Sequence, residues 1–118
     1  MLKFYTYKKC STCRNAKKFL DARGITYEEL PIRETPPPPA ELARMLRAYG
    51  GKMTRLFNTS SQDYRDAGLK DTLPTLSETE AFARLQVNGN LVKRPFLLGE
   101  SKSIALVGFK EAEWAEHL

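Results

Sequence analysis

The chain has only two cysteines and a single histidine, and both counts restrict its metal chemistry. Cys10 and Cys13 form one C-x-x-C pair, and no second pair follows that could complete a four-ligand zinc site. The histidine, His117, is the penultimate residue. We therefore expect no bound metal and no resident cofactor.

Long apolar runs are also missing. No stretch approaches the ~20 apolar residues that span a bilayer, and the residues after Met1 are too polar for a signal peptide. We therefore expect a cytoplasmic protein without membrane contact. The length of 118 residues predicts a single domain, 1–118. We also expect a monomer. In a reducing compartment, a close cysteine pair is more often catalytic or redox-sensing than structural.

Acidic residues are scarce in the first 23 positions, where Asp21 is the only one against seven basic residues. The whole chain carries a net charge of +5. This distribution predicts a positive field around the cysteine pair that attracts anionic groups, although a solvated basic helix face would explain the same charge. The sequence has no recognisable nucleic-acid recognition helix, so we expect no direct nucleic-acid binding.

The first part of the chain has a strand, turn, helix, strand pattern. Residues 2–7 are typical of a strand, residues 11–23 have apolar side chains at helical spacing, and Gly24 is placed to end that helix. Residues 25–30 then predict a second strand, parallel to the first because a helical crossover joins them.

A run of four prolines, residues 36–39, marks the start of a helical insert at about 37–87. Residues 39–49 predict an amphipathic helix, and Ser77 with Glu80 forms a capping-box pattern at the start of another. Residues 53–58 and 61–67, which lie between these two helices, are themselves predicted to form one or two short helices.

The tail returns to strand chemistry after the turn at residues 88–89. Residues 91–98 and 104–107 predict an antiparallel hairpin across residues 99–103, although Pro95 favours a break or an edge in the first strand. A short helix is expected from about Lys110, anchored by Phe109 and Trp114.

The position of the cysteines favours redox chemistry. Cys10 immediately precedes the predicted helix, where unpaired backbone N–H groups and the helix dipole stabilise a thiolate and lower its pKa from about 8.5. Residues three apart at a helix start share one face, so Cys10 can attack a substrate and Cys13 can resolve the product. The alternative is a pair of packing thiols, with Cys13 a small core residue beside Ala16 and Leu20.

Together these elements resemble a thioredoxin fold: an α/β arrangement of βαβ and ββα halves with a helical insert between them. Two separated motifs resemble the arsenate reductase-like/Spx family more specifically. They are Phe4-Tyr5 with Cys10-Ser11-Thr12-Cys13-Arg14-Asn15, and Val92-Lys93-Arg94-Pro95 with Val107-Gly108-Phe109.

The resemblance implies roles for individual residues. Cys10 matches the family's nucleophile, while Cys13 replaces a serine and favours an internal disulfide. Arg94 matches an oxyanion-binding arginine, although an ordinary surface arginine is the alternative. Pro95 matches a proline that is typically cis and lies beside the cysteine loop. We further expect substrate or anion contacts from Ser11, Thr12, Arg14 and Pro95.

Two of the three arginines that arsenate reductases of this family use are missing. Asn58 stands where the second is expected, and the third falls near Val107 and Gly108. Each lost cationic partner is worth about 1.5–3 kcal/mol to a charged ligand. We therefore expect arsenate reduction to be weak or absent.

Two functions fit these observations. The first is a thiol-disulfide oxidoreductase in which Cys10 and Cys13 exchange with a thiol or disulfide substrate, reduced by glutathione with glutaredoxin or by a thioredoxin-type protein. The second is an Spx-type redox-sensing regulator that contacts RNA polymerase through a protein surface. The chain ends a few residues after Trp114, shorter than is usual for such regulators. We therefore favour the enzyme.

Overall fold

A computed structural model describes residues 1–100 and 104–118. It contains a mixed four-stranded sheet in the order β2-β1-β3-β4, with β2 parallel to β1 and the other neighbours antiparallel. The strands are β1 (Leu2–Thr6), β2 (Tyr27–Pro31), β3 (Phe96–Leu98) and β4 (Ala105–Val107).

Six α-helices surround this sheet in the described residues. They are α1 (Ser11–Ala22), α2 (Pro39–Ala48), α3 (Gln62–Asp66), α4 (Leu69–Thr72), α5 (Glu78–Val87) and α6 (Glu111–His117). Short 3-10 turns lie at Met53–Leu56, Leu73–Thr75 and Gly89–Leu91. Within the described residues, no helix is both long and apolar enough to cross a bilayer.

The two faces of the sheet bury different clusters because strand side chains alternate. Phe4 and Leu97 face α1 and α6, where they pack with Trp114. Tyr5 and Phe96 face the insert, where they pack with residues from α2, α5 and the segments between them. The strands β1 and β3 are antiparallel neighbours, so the end of β1 lies beside the start of β3. This pairing places the start of α1 close to the segment before β3.

The predicted α/β, thioredoxin-like arrangement with its helical insert is confirmed. Local signals set several helix ends: Ser77 and Glu80 form the reciprocal capping box of α5, and Gly24 follows α1 with a left-handed φ of 66°. Pro39 begins α2 as expected.

The prediction of a strand over residues 91–98 is wrong in its first half. Leu91 ends a 3-10 turn, and Val92 makes only an isolated bridge with Phe57. The regular ladder starts at Phe96, because Pro95 has no N–H to donate to a neighbouring strand. The Arg94–Pro95 peptide bond is cis, as the resemblance implies. Part of the predicted hairpin turn, residues 101–103, lies outside the described residues.

Candidate active site

Cys10 is the N-cap residue of α1, in the short connection from β1. Its sulfur accepts a hydrogen bond from the backbone N–H of Cys13, with a nitrogen–sulfur distance of 3.1 Å. The Cys10 N–H donates to the carbonyl of Tyr7, which closes the turn from the strand into the helix. The strand–turn–helix sequence therefore aims the Cys10 sulfur at the positive end of α1.

The two thiols have opposite environments. The Cys13 S–H donates to the Cys10 sulfur, and this bond is the largest of the effects that lower the pKa of Cys10 to about 6. Burial opposes the shift, while the backbone N–H groups of Cys13 and Thr12 and the charge of Arg94 add to it. The same hydrogen bond between the two thiols is the largest cause that raises the pKa of Cys13, and burial is the next. Cys13 is only 3% exposed. Cys10 is therefore the ionised, accessible thiol, and Cys13 is the covered, protonated one.

Arg94 reaches Cys10 from the segment before β3. Its guanidinium carbon lies 5.0 Å from the ring centroid of Tyr7, a residue that also has Arg33 over its ring at 4.7 Å. Among the described residues, Arg94 Nη1 is buried and has no hydrogen-bond partner. A planar guanidinium with a free donor is suited to an anionic group on a substrate bound at Cys10.

These residues line one open cleft of about 490 Å³. Four of the predicted site residues, Cys10, Ser11, Thr12 and Arg94, line it. Cys13 lies beneath Cys10, and Pro95 is buried with its carbonyl accepting from the N–H of Gly108 at 2.9 Å. The remaining cleft-lining residues are Tyr7, Lys9, Arg55, Asn58, Ser60, Lys93, Val107, Gly108, Phe109 and Lys110.

Arg14 does not line this cleft. It is exposed, and its guanidinium donates to the carbonyl of Lys8 at 3.2 Å beside a separate small cavity that Cys13 and Lys17 also line. Arg14 lies one helical turn after Cys10, but its hydrogen bond to Lys8 holds the guanidinium at that separate cavity and away from the Cys10 cleft. Its predicted contact with a substrate anion has no support from this geometry.

The sequence interpretation did not assign a substrate-binding role to four basic residues of the cleft: Lys9, Arg55, Lys93 and Lys110. Lys9 directly precedes Cys10 and belongs to the basic residues whose positive field the sequence predicts, and Lys93 lies within the second motif. Arg55 and Lys110 lie in separate connecting segments, and only the folded chain brings them to the cysteine. Asn58 and Val107 also line the cleft, so the positions that lack the expected arginines are at the site, although its cationic character is retained.

Replacing Arg94 by alanine should raise the pKa of Cys10, because the nearby positive charge stabilises the thiolate. The alkylation rate of Cys10 against pH should then show a midpoint above about 6, and Arg94→Lys should restore part of the shift. Unfolding stability should change little, since an arginine that is partly exposed contributes little to it. An unchanged titration would make Arg94 a surface arginine with no role at Cys10.

Comparison with known proteins places this geometry in a family. The ArsC family profile matches residues 5–117. The uncharacterized protein YusI of Bacillus subtilis is 40% identical over 116 residues, covering 98% of this chain and 97% of YusI. The crystal structure of a possible arsenate reductase from Streptococcus mutans UA159 is 41% identical, with a TM-score of 0.90, and the match covers 100% of this chain and 98% of that one.

A more distant relative is the global transcriptional regulator Spx of Listeria innocua. It is 28% identical over 113 residues, which cover 96% of this chain and 83% of the regulator. The similar proteins therefore include both kinds that the motifs resemble, a possible arsenate reductase and an Spx regulator. The family match spans both cysteines, the cis Arg94–Pro95 bond and nearly the whole fold, so the chain belongs to the ArsC family.

Proposed function

We propose that this protein is a cytoplasmic thiol-disulfide oxidoreductase that uses Cys10 as its nucleophile and Cys13 as its resolving thiol. The observation that carries the proposal is the unequal placement of the two cysteines: Cys10 is the N-cap of α1 and faces the open cleft, whereas Cys13 is buried beneath it. The pKa of Cys10 is accordingly lowered to about 6 and that of Cys13 is raised. A pKa of about 6 makes Cys10 roughly 90% thiolate at pH 7. A packing thiol would not need to be the N-cap of a helix and to face an open cleft, as Cys10 does.

The reaction proceeds in two exchanges. The Cys10 thiolate attacks one sulfur of a disulfide substrate, forming a mixed disulfide and releasing the other half as a thiolate. Cys13 then loses its proton to that thiolate or to solvent and attacks the Cys10 sulfur. This second step forms the Cys10–Cys13 disulfide and releases the remaining half of the substrate as a thiolate, which takes up a proton from solvent according to its own pKa. The protein has lost two electrons and the substrate has gained them.

We propose a role for each group that surrounds Cys10. The N–H groups of Thr12 and Cys13 hold the sulfur as a thiolate, and Arg94 adds positive charge. The Nη1 donor of Arg94 orients an anionic part of the substrate. Electrons to reduce the Cys10–Cys13 disulfide would come from glutathione with glutaredoxin, or from a thioredoxin-type protein, so no bound cofactor is required.

The direct test is oxidation of the reduced protein by glutathione disulfide at pH 7, followed by mass spectrometry of the intact chain. We expect a mass loss of two hydrogens and protection of both cysteines from alkylation. A reductant should restore both thiols. A chain that keeps two free thiols under these conditions would rule out the proposed exchange.

Arsenate reduction should be weak or absent even with glutathione and glutaredoxin present. Asn58 supplies an amide and Val107 supplies no polar side chain at cleft positions where arginines are expected. Asn58→Arg should therefore increase oxyanion affinity, by about tenfold for a charged hydrogen bond of ~1.5 kcal/mol. Steady-state arsenate turnover and arsenate protection of Cys10 from alkylation measure the two effects. Efficient turnover by the unaltered chain would contradict the expectation.

The second candidate function is an Spx-type redox sensor that contacts RNA polymerase. The 28% identity to a global transcriptional regulator supports it, and the same cysteine pair would act as the switch. Binding of RNA polymerase by the reduced or oxidised protein in pull-down would favour this function. Catalytic turnover of small disulfides without such binding would favour the enzyme.

A further inference from the structure

Three cations meet in the Cys10 cleft from separate parts of the chain: Arg55, Lys93 and Lys110. We call them the cationic triad. Arg55 lies in the Met53–Leu56 turn, Lys93 precedes the cis Arg94–Pro95 bond, and Lys110 is the N-cap residue of α6. None of these positions belongs to the pattern of arginines that the family resemblance implies.

The backbone and nearby side chains fix the triad. The N–H of Lys93 donates to the carbonyl of Leu56 at 2.8 Å, which joins its segment to the one that carries Arg55. The Arg55 guanidinium carbon lies 4.6 Å from the ring centroid of Tyr49, whose hydroxyl accepts from the N–H of Val107 at 3.1 Å.

The stem of Lys93 lies over Gly108, a residue with a left-handed φ of 69°. A Cβ at Gly108 would lie 3.1 Å from the Lys93 Cε, so this glycine leaves room for the lysine. The Gly108 carbonyl also accepts from Trp114 Nε1 at 2.9 Å, which anchors the loop that leads to Lys110.

The triad has no acidic partner in the described part of the chain. No carboxylate of the described residues lines the cleft, and the ion pairs that these residues form involve Met1, Lys3 and Lys17 instead. The carboxylate of Glu113 lies outside the cleft lining, 3.5 Å from the Tyr49 hydroxyl, and Arg55 also donates a hydrogen bond to that hydroxyl. Glu113 therefore approaches Arg55 only through Tyr49. Burial, followed by the charges of Arg55 and Lys110, lowers the pKa of Lys93, as expected for cations held close together without neutralisation.

The charge of Arg94 is among the causes that lower the pKa of Cys10. The members of the triad line the same cleft from other segments of the chain. The cleft therefore contains Arg94, which stabilises the thiolate, and three further cations that form no direct ion pair with a carboxylate of the described residues. Its volume of about 490 Å³ suits a small molecule, since ligand pockets are typically ~300–1,000 Å³.

We propose that Arg55, Lys93 and Lys110 form a subsite for a carboxylate carried by a small disulfide substrate while its sulfur reacts with Cys10. This inference rests on the proposed thiol-disulfide function and specifies its substrate class as anionic, low-molecular-weight disulfides. The triad binds the carboxylate through charge-assisted hydrogen bonds, and Cys10 performs the exchange already described. The carboxylate is not altered in the reaction.

The test compares two disulfides that differ in charge. The reduced protein is mixed with dianionic 5,5′-dithiobis(2-nitrobenzoate) or with neutral 2,2′-dithiodipyridine, and the release of the coloured thiol is followed by stopped flow. Taking the ratio of the anionic to the neutral rate removes any general change in Cys10 reactivity. We expect Lys93→Gln to lower this ratio by roughly tenfold at low salt, as for loss of one charged hydrogen bond. Lys93→Arg should restore most of it, and Arg55→Gln and Lys110→Gln should also lower it.

Lys18→Gln is the matched control. It also removes one positive charge, but Lys18 is an exposed residue of α1 that does not line the cleft. Its ratio should equal that of the unaltered chain. Equal ratios for Lys93→Gln and the unaltered chain, or equal losses for Lys93→Gln and Lys18→Gln, would overturn the subsite. Circular dichroism confirms that each variant is folded. If Cys10 of the unaltered chain reacts with neither disulfide, the proposed exchange function itself fails, which is a separate outcome.

Discussion

Replacing Cys13 by serine should stop catalytic turnover after the first exchange and leave the substrate covalently bound to Cys10. The intramolecular attack of Cys13 has a high effective concentration, so its loss should slow turnover by about a hundredfold or more at millimolar external thiol. The serine hydroxyl can still donate to the Cys10 sulfur, as the Cys13 thiol does, which keeps Cys10 ionised. Intact-mass measurement after mixing with glutathione disulfide should show one added glutathionyl group.

Two further variants separate trapping from a general loss of reactivity. Cys10→Ser should form no mixed disulfide. Cys13→Ala removes the donor that is the main cause of the low pKa of Cys10, so the alkylation midpoint should rise from about 6 towards the ordinary cysteine value. At pH 7 the alanine variant should therefore react more slowly than the serine variant. Equal titrations for the two variants would show that the Cys13 thiol does not control ionisation, and release of substrate by Cys13→Ser at the normal rate would exclude Cys13 as the resolving thiol.

Trp114→Ala should destabilise the fold more than any substitution in the Cys10 cleft. The indole is fully buried and packs edge-on against Phe4, Phe19 and Phe109, with ring centroids 6.3, 6.4 and 5.0 Å away. Truncation of a buried tryptophan to alanine leaves a large cavity and costs about 3–5 kcal/mol. Urea unfolding followed by far-ultraviolet circular dichroism measures this loss without relying on the fluorescence of the chain's only tryptophan.

Trp114→Phe is the matched variant because it keeps an aromatic ring but removes the Nε1–H that donates to the Gly108 carbonyl. That carbonyl then lacks its partner, and we expect a smaller loss of about 1–3 kcal/mol. Gly108 and Phe109 line the cleft, so this variant should also change the rate of exchange at Cys10. A loss below ~1 kcal/mol for Trp114→Ala would contradict the packing described for this face of the sheet.

The cysteine loop could be predicted from sequence because its geometry is local. A strand, a turn and a helix that begins at Ser11 fix the direction of the Cys10 sulfur within a few residues. Arg94 could be found only through its motif, since its approach to Cys10 depends on the pairing of β1 with β3. Arg55 and Lys110 had no local signal, because nothing in their own segments indicates a shared cleft.

The errors have physical causes as well. The apolar character of residues 91–98 is compatible with a strand, but the Gly89–Leu91 turn and the missing N–H of Pro95 restrict the regular ladder to Phe96–Leu98. Arg14 followed the cysteines in the motif, yet its side chain turns to the carbonyl of Lys8. The cysteine loop at the start of α1 could be predicted because its residues are close together in the sequence. The residues of the cleft wall could not, because long-range contacts bring them together.

The use of Cys10 as the N-cap of α1 links helix stability to the redox state of the pair. In the reduced chain the Cys10 sulfur is an anionic acceptor for the Cys13 N–H, and a disulfide sulfur carries no such charge. The disulfide closes only a short loop, so it gains little from restricting the unfolded chain. By a thermodynamic cycle, whatever α1 contributes to the thiolate makes the reduced form more stable and raises the reduction potential of the pair. The first turn of α1 thus favours re-reduction of the Cys10–Cys13 disulfide by its thiol donor and lowers the driving force with which the reduced pair reduces a substrate.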